Sequence, residues 1–447
     1  MKINILRQSF SVLIFTLFFF ELNAQELMQL LKTKFGSNNI ESKDSSVFKE
    51  YYAIKFRQPI DHLDTAKGFF MQVVLLGHND ISKPIVMETN GYEILPYQTL
   101  AYKAEPAKIL DANQIIVEHR YFGQSIPDSI DKTWLNFYQI SSDYHAIKTA
   151  FSDIYPSQWI TTGASKGGLT ALNYSFYYPN DMNASFVYVA PVVKGLHDKR
   201  ITDFLNEKRS TETGKKLFEI QEHLLQKKAM LLPVFLEILK FSDLNIGMMD
   251  PETLYDFAVL EFDFNFWQYI SDFDKLANYS KESLEQMRKR GFNNNAPLIS
   301  QSDSMIAIFP MCIWYLLDKR LSAPFFYQSY TQMGTYGYEE KLFKGYLKHK
   351  TYSPEFLAGK HPKYSLSYVK AFHKFLKKKL SHTIFIYGAE DPWTSCRVNM
   401  SPASDNLLII NPKTNHSTLI HDVGEKEKRQ ISEKLNKWLK KSTIVIN

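Results

Sequence analysis

The segment Gly163-Ala164-Ser165-Lys166-Gly167-Gly168 carries the sharpest chemical signal in this sequence. It follows an apolar run at residues 158–162 and precedes helical text at residues 169–178. A G-x-S-x-G pattern between a strand and a helix is typical of a nucleophile elbow, where small neighbours permit a tight turn that presents the serine hydroxyl. A chance glycine-rich turn is the alternative. The strand and helix context favours the elbow and predicts Ser165 as a nucleophile.

A serine nucleophile needs two partners from elsewhere in the chain. The hydroxyl is a weak nucleophile at neutral pH, so a histidine must accept its proton and an acid must orient that histidine. An apolar run at residues 383–387 leads into Gly388-Ala389-Glu390-Asp391-Pro392-Trp393, and another at 407–410 leads into a loop that contains His416. The chain order serine, acid, histidine is the one found with nucleophile elbows. We therefore predict Asp391 as the acid and His416 as the base.

Each of these two predictions has a rival close by. Glu390 adjoins Asp391, but the Gly-x-x-Asp spacing after a strand and the turn fixed by the following proline favour Asp391. His421 lies close behind His416 and is the alternative base, although it flanks the predicted terminal helix.

An acyl-transfer site also needs two hydrogen-bond donors for the oxyanion. One is expected to be the backbone N–H of Lys166, directly after the nucleophile. The other is expected from the loop at residues 88–92, where Gly91 permits close backbone approach and the backbone N–H of Tyr92 is our candidate. An ordinary Asn-Gly turn is the alternative for this loop.

The surrounding sequence predicts the strands and helices that must position the candidate site residues. Alternating text at 51–76 predicts antiparallel strands, and apolar runs follow at 84–87, 114–117, 158–162 and 184–193. Helix-like spacing lies between them at 97–110 and 142–154, with Ser141 or Ser142 as the expected cap of the second helix. Strands that alternate with helices predict a parallel sheet with crossovers. From 195 to 380 the text becomes mainly helical, with one long segment at 217–240, before strands resume and a helix at 425–441 ends the chain.

Length, charge and cysteine content narrow the class of protein. The 447 residues exceed a single domain of roughly 250 to 300 residues, which fits an α/β domain interrupted by a helical insertion. A net charge of +6 without a clustered basic stripe argues against a nucleic-acid partner. Two cysteines exclude a disulfide scaffold and a Cys-type zinc site, although Cys312 and Cys396 could form one bridge.

The N-terminus predicts export. Lys2 and Arg7 precede an apolar run at residues 9–20, which is typical of a signal peptide cut after Ala24. A membrane anchor is the alternative, but the run is shorter than the roughly 20 residues of a spanning helix. We therefore expect a secreted or periplasmic protein without a stable membrane anchor. The predicted organisation is a signal peptide at 1–24, an α/β core at 25–194 and 381–447, and a helical cap at 195–380.

At several of these motifs the chain resembles the bacterial secreted tripeptidyl aminopeptidases, a family of serine peptidases, and more distantly the prolyl carboxypeptidases and dipeptidyl peptidase II. The matching text comprises Glu105-Pro106, the segment 112–122, Trp159 with the elbow, Val189-Ala190-Pro191, the insertion text at 259–269, and residues 387–393.

The resemblance implies an α/β-hydrolase fold with a large helical cap inserted before the acid-bearing strand. It implies a serine exopeptidase that releases di- or tripeptides from free N-termini of peptides through a Ser165–His416–Asp391 acyl-enzyme mechanism. We expect no metal or organic cofactor, and a peptide substrate as the partner. An esterase or lipase with the same triad is one alternative. A non-catalytic binding protein on the same fold is the other.

Two further charged motifs have competing interpretations. An aminopeptidase must hold the α-ammonium of its substrate, and Glu261, with Trp267 close by in aromatic text, is the predicted substrate-binding group. A solvated glutamate at the edge of an aromatic core is the alternative. Glu118-His119-Arg120 resembles catalytic text, but its charges are expected to pair locally and fix the end of a strand.

Overall fold

The computed structural model describes residues 24–99, 102–128, 131–244, 246, 249–292, 300–359 and 363–446. The predicted signal peptide therefore lies outside the described residues except for Ala24, where the first helix begins.

A mixed sheet forms the centre of the molecule. Its strands, in the described part of the chain, are β1 (Ile40–Lys43), β2 (Glu50–Pro59), β3 (Phe69–His78), β4 (Ile85–Thr89), β5 (Asn113–Val117), β6 (Trp159–Ala164), β7 (Ala184–Tyr188), β8 (Thr383–Gly388) and β9 (Leu407–Asn411). They are arranged in the order β1-β2-β3-β5-β4-β6-β7-β8-β9. The first three strands pair antiparallel, as predicted, and the strands from β5 to β9 pair parallel.

The parallel part of the sheet is buried on both faces. Strands β4, β5 and β7 are buried at every position, which explains why none of their sequences alternates between apolar and polar residues. Because parallel strands end at the same edge, the loops after β4, β6, β8 and β9 gather there. These are the loops that carry the predicted oxyanion donors, nucleophile, acid and base.

The helices cover the sheet and build a separate layer above it. Those described are α1 (Ala24–Phe35), α2 (Glu105–Ile109), α3 (Phe137–Phe151), α4 (Lys166–Tyr177), α5 (Lys199–Arg209), α6 (Glu212–Gln226), α7 (Lys228–Phe241), α8 (Pro251–Leu260), α9 (Phe262–Asn265), α10 (Phe273–Lys289), α11 (Gln301–Ser304), α12 (Phe309–Leu317), α13 (Lys319–Gln328), α14 (Leu366–Lys378) and α15 (Glu425–Trp438). Together with the strand order, they confirm the predicted α/β-hydrolase fold with a helical cap.

Three helix predictions were wrong in their boundaries. The predicted helix at 97–110 is reduced to α2, which begins beside Pro106 because proline is tolerated only in the first turn. Helix α3 begins earlier than predicted, since the side chain of Asn136, and neither predicted serine, caps it by accepting from the Gln139 N–H. The single helix expected at 217–240 is divided into α6 and α7 at Lys227.

The cap has a hydrophobic core of its own. Helices α5 to α13 lie between β7 and β8, and their apolar side chains form a cluster centred on residues such as Phe235, Tyr255 and Phe309. Helix α14 differs, because Phe372, Phe375 and Leu376 join the core of the sheet. The last part of the predicted insertion therefore lies against the sheet, and the boundaries at 194 and 380 stay a prediction.

Arg120 has the structural role that was predicted, but its partner is not local. The guanidinium is fully buried and forms two hydrogen bonds of 2.7 Å with the carboxylate of Asp143 on α3. It also donates to the carbonyl oxygens of Ile60 and Trp134. A buried arginine requires such a partner, so this ion pair joins the end of β5 to α3.

Both cysteines are free and buried, so Cys312 and Cys396 form no bridge. Within the described ranges, no helix has the length and apolarity needed to cross a bilayer.

Candidate active site

Ser165 stands at the turn between β6 and α4 in a strained conformation. Its φ is 55° and its ψ is −125°, a region that costs a non-glycine residue of order 1–3 kcal/mol. Small neighbours make the turn possible: a Cβ added to Gly163 would lie 2.5 Å from the Gly167 carbonyl oxygen, and one added to Gly168 would lie 3.0 Å from Ala190. The structure therefore has the nucleophile elbow geometry, with the Ser165 side chain on the wall of a cavity.

Asp391 and His416 meet beside that cavity. Asp391 is fully buried, and its Oδ2 lies 2.6 Å from Nδ1 of His416, while its Oδ1 accepts from the backbone N–H of Trp393 at 3.0 Å. The two loops can approach because residue 388 is glycine: a Cβ there would collide with the carbonyl oxygens of Thr414 and Asn415. This carboxylate can hold the imidazole in one tautomer, with Nε2 left to exchange a proton.

The two rival residues have other partners. Glu390 forms an ion pair with Lys208 of α5. His421 is 67% exposed and lies beside Glu105 and Asp422. Neither of these residues lines the cavity that contains Ser165 and His416.

The cap also holds the histidine loop. The backbone N–H of His416 donates to the carbonyl oxygen of Gln268 at 3.0 Å, and the Tyr269 ring packs edge-on against the imidazole at 5.9 Å. Asn415 donates to the hydroxyl of Ser271 at 3.1 Å. Gln268 and Tyr269 belong to a π-helix, Phe266–Ile270, a rare element that often occurs at functional sites.

The loop after β4 lies directly against the elbow. A Cβ added to Gly91 would lie 2.7 Å from Cβ of Lys166 and 2.8 Å from the Gly167 nitrogen, so only glycine permits this approach. Gly91, Tyr92 and Lys166 all line the cavity with Ser165. The structure thus brings together the three residues predicted for an oxyanion site.

The cavity lies between the sheet edge and the cap. Its volume is about 530 Å³, within the usual range for small-molecule and peptide-end sites. Aromatic and aliphatic side chains form most of its wall, and the members from the cap include Phe264, Tyr269, Trp314, Phe325 and Phe326.

Glu261 lies in the cap wall of the same cavity, at the end of α8, and only 1% of it is exposed. Its carboxylate accepts hydrogen bonds from the hydroxyls of Tyr315 at 2.5 Å, Tyr336 at 2.9 Å, and Tyr338. Burial raises the pKa of Glu261 to about 7, although the three phenols act in the opposite direction. Among the ion pairs of the described residues, none includes Glu261.

A neighbouring carboxylate shows the contrast. Asp263 is also buried, and burial raises its pKa to about 6. Unlike Glu261, it has a cation beside it, since Arg209 donates to it at 3.4 Å and also pairs with Glu339 at 3.0 Å. Asp263 does not line the cavity. Of these two carboxylates, the one without a counter-charge, Glu261, is therefore the one that lines the cavity.

Sequence comparison identifies the family. Residues 21–445 match the PS-10 peptidase S37 family. The chain belongs to this family. It is also 27% identical over 421 residues to the prolyl tri/tetrapeptidyl aminopeptidase of Streptomyces mobaraensis, an alignment that covers 90% of this chain and 83% of the relative. These findings confirm the resemblance inferred from the sequence and show that this protein is a serine peptidase.

Among solved structures, similar chains have low identity. The proline iminopeptidase of Mycobacterium smegmatis has 11% identity and a TM-score of 0.36, with 86% of this chain and 99% of that chain covered. An α/β fold family hydrolase from Bacillus anthracis has 13% identity and a TM-score of 0.34, with 87% and 98% covered.

One predicted substrate-binding residue of this S37 peptidase lies away from the cavity. Trp267 does not line it; its ring packs against Phe266 at 5.0 Å and lies 4.5 Å from the Lys208 ammonium. The adjacent residues Gln268 and Tyr269 line the cavity in its place.

Sequence reasoning missed the three tyrosines around Glu261. Tyr336 and Tyr338 are two residues apart in a segment outside helix and strand, and both hydroxyls reach the Glu261 carboxylate. That spacing could have indicated that the two tyrosines share a partner, but it does not identify Glu261 as that partner. Tyr315 on α12 has no such signal.

Proposed function

We propose that this S37 peptidase is an exopeptidase that releases di- or tripeptides from free N-termini of peptides. The observation that carries the proposal is Glu261, a buried carboxylate without a cation in the cavity that contains Ser165. A buried carboxylate without a counter-charge is unfavourable, and a substrate α-ammonium would supply both the charge and N–H donors. The tri/tetrapeptidyl aminopeptidase of Streptomyces mobaraensis, the relative described above, supports short peptides as products.

The proposed chemistry is acyl transfer by Ser165, His416 and Asp391. Ser165 Oγ attacks the scissile carbonyl carbon while Nε2 of His416 accepts its proton, and Asp391 keeps the imidazole oriented. The C–N bond then breaks as His416 returns that proton to the leaving amine. Water, activated by the same histidine, hydrolyses the acyl-enzyme and frees the short peptide.

The oxyanion is proposed to accept hydrogen bonds from the backbone N–H groups of Lys166 and Tyr92. Gly91 supports this assignment because its missing side chain lets the loop contact the elbow.

Export is a further part of the proposal. The basic residues and apolar run at the N-terminus support a signal peptide and a secreted or periplasmic enzyme. Intact-mass measurement of the protein recovered from a bacterial periplasm or culture medium tests this. A mass corresponding to a chain that begins at Gln25 is expected, and an uncleaved chain would contradict it.

The activity is tested by digesting a peptide library whose members have either free or N-acetylated termini, with products identified by mass spectrometry. We expect the wild-type protein to release short N-terminal fragments only from free termini, and Ser165→Ala to release none. Equal cleavage of acetylated peptides would contradict the binding of the substrate α-ammonium by Glu261 but would leave the proposed triad unaffected. Hydrolysis of acyl esters without any peptide cleavage would contradict the exopeptidase.

A further inference from the structure

The side chain of Lys166 is buried immediately behind the oxyanion loop. Its Nζ donates to the carbonyl oxygen of Gly91 and lies 3.3 Å from Nε2 of His119. The rings of Phe122 and Tyr92 flank it at 4.6 Å and 5.0 Å. The proposed function uses only the backbone N–H of Lys166, so this arrangement of its side chain calls for a separate explanation.

The protonation of His119 is fixed from its other side. Nδ1 lies 2.8 Å from the carbonyl oxygen of Arg120, which can only accept, so Nδ1 carries the proton. Nε2 therefore presents a lone pair to Lys166. Burial lowers the pKa of both groups well below their ordinary values, and the charge of Lys166 lowers the pKa of His119 further. The carbonyl oxygen of Gly91 and Nε2 of His119 are therefore two acceptors for the N–H groups of the Lys166 side chain.

The hydrogen bond to Gly91 has a consequence for Tyr92. The C=O of Gly91 and the N–H of Tyr92 belong to one peptide unit, and in a planar trans peptide these two groups point in opposite directions. A donor that fixes the carbonyl on the buried side thereby directs the N–H to the other side. The next peptide is held as well, because the His119 N–H donates to the Tyr92 carbonyl oxygen at 3.1 Å.

We propose that the Lys166 side chain is a positioning residue that orients the Gly91–Tyr92 peptide, so that the Tyr92 N–H serves as the second oxyanion donor. His119 completes the support by binding the amine of Lys166. Donation to the Gly91 carbonyl also polarises the peptide and strengthens its N–H as a donor. This inference rests on the proposed acyl-transfer function and deepens it.

The test compares Lys166→Met with wild type, and with Lys103→Met as the matched control. Lys103 is likewise a mostly buried lysine over an aromatic ring, 5.4 Å from Phe48, but it lies outside the site. The probes are a peptide aldehyde and the product peptide. The aldehyde carbon bonds to Ser165 Oγ, the serine proton passes to His416, and the carbonyl oxygen becomes the oxyanion.

Removing one oxyanion donor outright costs about 10²–10³ in kcat, so misplacing one is expected to cost about tenfold to a hundredfold. In Lys166→Met, kcat/KM and aldehyde affinity should fall together by this factor, while the product peptide binds within about threefold of wild type. Lys103→Met should match wild type in all three. Equal weakening of aldehyde and product, or no weakening of the aldehyde, would overturn the positioning role.

Folding and the underlying function are checked separately. Thermal unfolding is measured for each variant, and if Lys166→Met does not fold, Lys166→Gln is used, whose amide N–H can still donate. In either case Lys166→Gln should recover part of the aldehyde affinity, and its failure to do so would count against the proposal. Labelling of wild-type Ser165 by a fluorophosphonate reports the reactivity of the nucleophile alone. If wild type is labelled but Lys166→Met binds the aldehyde as tightly as wild type, the positioning role is refuted and the proposed function is not.

Discussion

Asp391 at the end of a sheet strand and Glu261 in the cap are both fully buried carboxylates of the site, and the two differ in their hydrogen-bond partners. Asp391, at the end of β8, has His416 at 2.6 Å and the Trp393 N–H at 3.0 Å. The carboxylate of Glu261, in the cap, accepts hydrogen bonds only from neutral phenol and amide groups. Asp391 thus has its histidine partner within the protein, whereas Glu261 lacks a cation among the described residues.

In the proposed function, this difference assigns Asp391 to catalysis and Glu261 to recognition of the substrate N-terminus. A carboxylate that already has its partner can orient a histidine whether or not a substrate is present. A carboxylate surrounded by neutral donors can bind a proton or an incoming ammonium, and burial makes the choice depend on pH near 7. We therefore expect changes at the sheet end to reduce kcat for every substrate, and changes at the cap end to discriminate between free and blocked N-termini.

The largest effect is expected from Ser165→Ala, which removes the nucleophile. Peptidase activity should fall by about 10⁶-fold, as when a triad serine is lost elsewhere, while product peptides still bind. Turnover and binding of the same peptide are measured side by side. Ser175→Ala is the control, because Ser175 lies on the same helix and its hydroxyl only donates back to the Ala171 carbonyl oxygen. Retained turnover in Ser165→Ala would rule out the elbow as the reactive centre.

Asp391→Asn is expected to reduce kcat by about 10⁴-fold, because the amide no longer selects the productive tautomer of His416. The neighbouring acid provides the control: Glu390→Gln loses only the ion pair with Lys208 and should stay within about threefold of wild type. Kinetics on an ester and on a free peptide should show the same loss in Asp391→Asn. A larger loss in Glu390→Gln than in Asp391→Asn would exchange the roles of the two acids.

Glu261→Gln is expected to reduce kcat/KM for free N-termini by about a hundredfold to a thousandfold, the cost of removing one partner from a buried charged pair. Hydrolysis of a small ester without an amine should change little. Asp263→Asn is the matched control, since this carboxylate is buried beside Glu261 but has Arg209 as its partner and lies outside the cavity. Equal losses on the ester and on the free peptide would show that Glu261 supports the cap rather than binds the substrate.

The sheet end could be predicted from the sequence for a physical reason. Parallel strands end at one edge, so Ser165, Asp391 and His416 needed only to follow their strands within a few residues in the right order. Gly91 could be placed in the same way after β4. Local sequence patterns were sufficient to place these residues, because the sheet itself brings the ends of distant strands together.

The cap end could not be predicted to the same depth. Tyr315 comes from α12, whereas Tyr336 and Tyr338 come from a segment after another π-helix, Ser329–Met333. Helix packing brings these side chains together, and residues so far apart in the sequence show no spacing pattern that would predict the contact. Trp267 shows the same limit: the aromatic text was recognised, but the π-helix turns Gln268 and Tyr269 rather than Trp267 toward the cavity.

The cap carboxylate should also give the activity on free peptides a pH dependence of its own. With a pKa of about 7, Glu261 is protonated in acid and loses its attraction for an ammonium there. Relative to ester hydrolysis, kcat/KM for free peptides should therefore fall by about fiftyfold from pH 7 to pH 5, because Glu261 is about half ionised at its pKa and about one hundredth ionised two units below it. Above about pH 8 the ratio should fall again as the substrate amine loses its proton. In Glu261→Gln the acidic limb should vanish; its persistence would assign that limb to another group.

The smallest effect is expected from Tyr338→Phe, which removes one of the phenol donors to Glu261. These phenols oppose the effect of burial, so losing one should raise the Glu261 pKa further, by about one unit for a hydrogen bond to a charged group. Free-peptide kcat/KM should then fall by about fivefold to tenfold at pH 7 and recover as the pH is raised. Tyr352→Phe is the control, because the Tyr352 hydroxyl binds Asp256 inside the cap. A loss that is the same at all pH values would mean that Tyr338 shapes the cavity instead of stabilising the charge of Glu261.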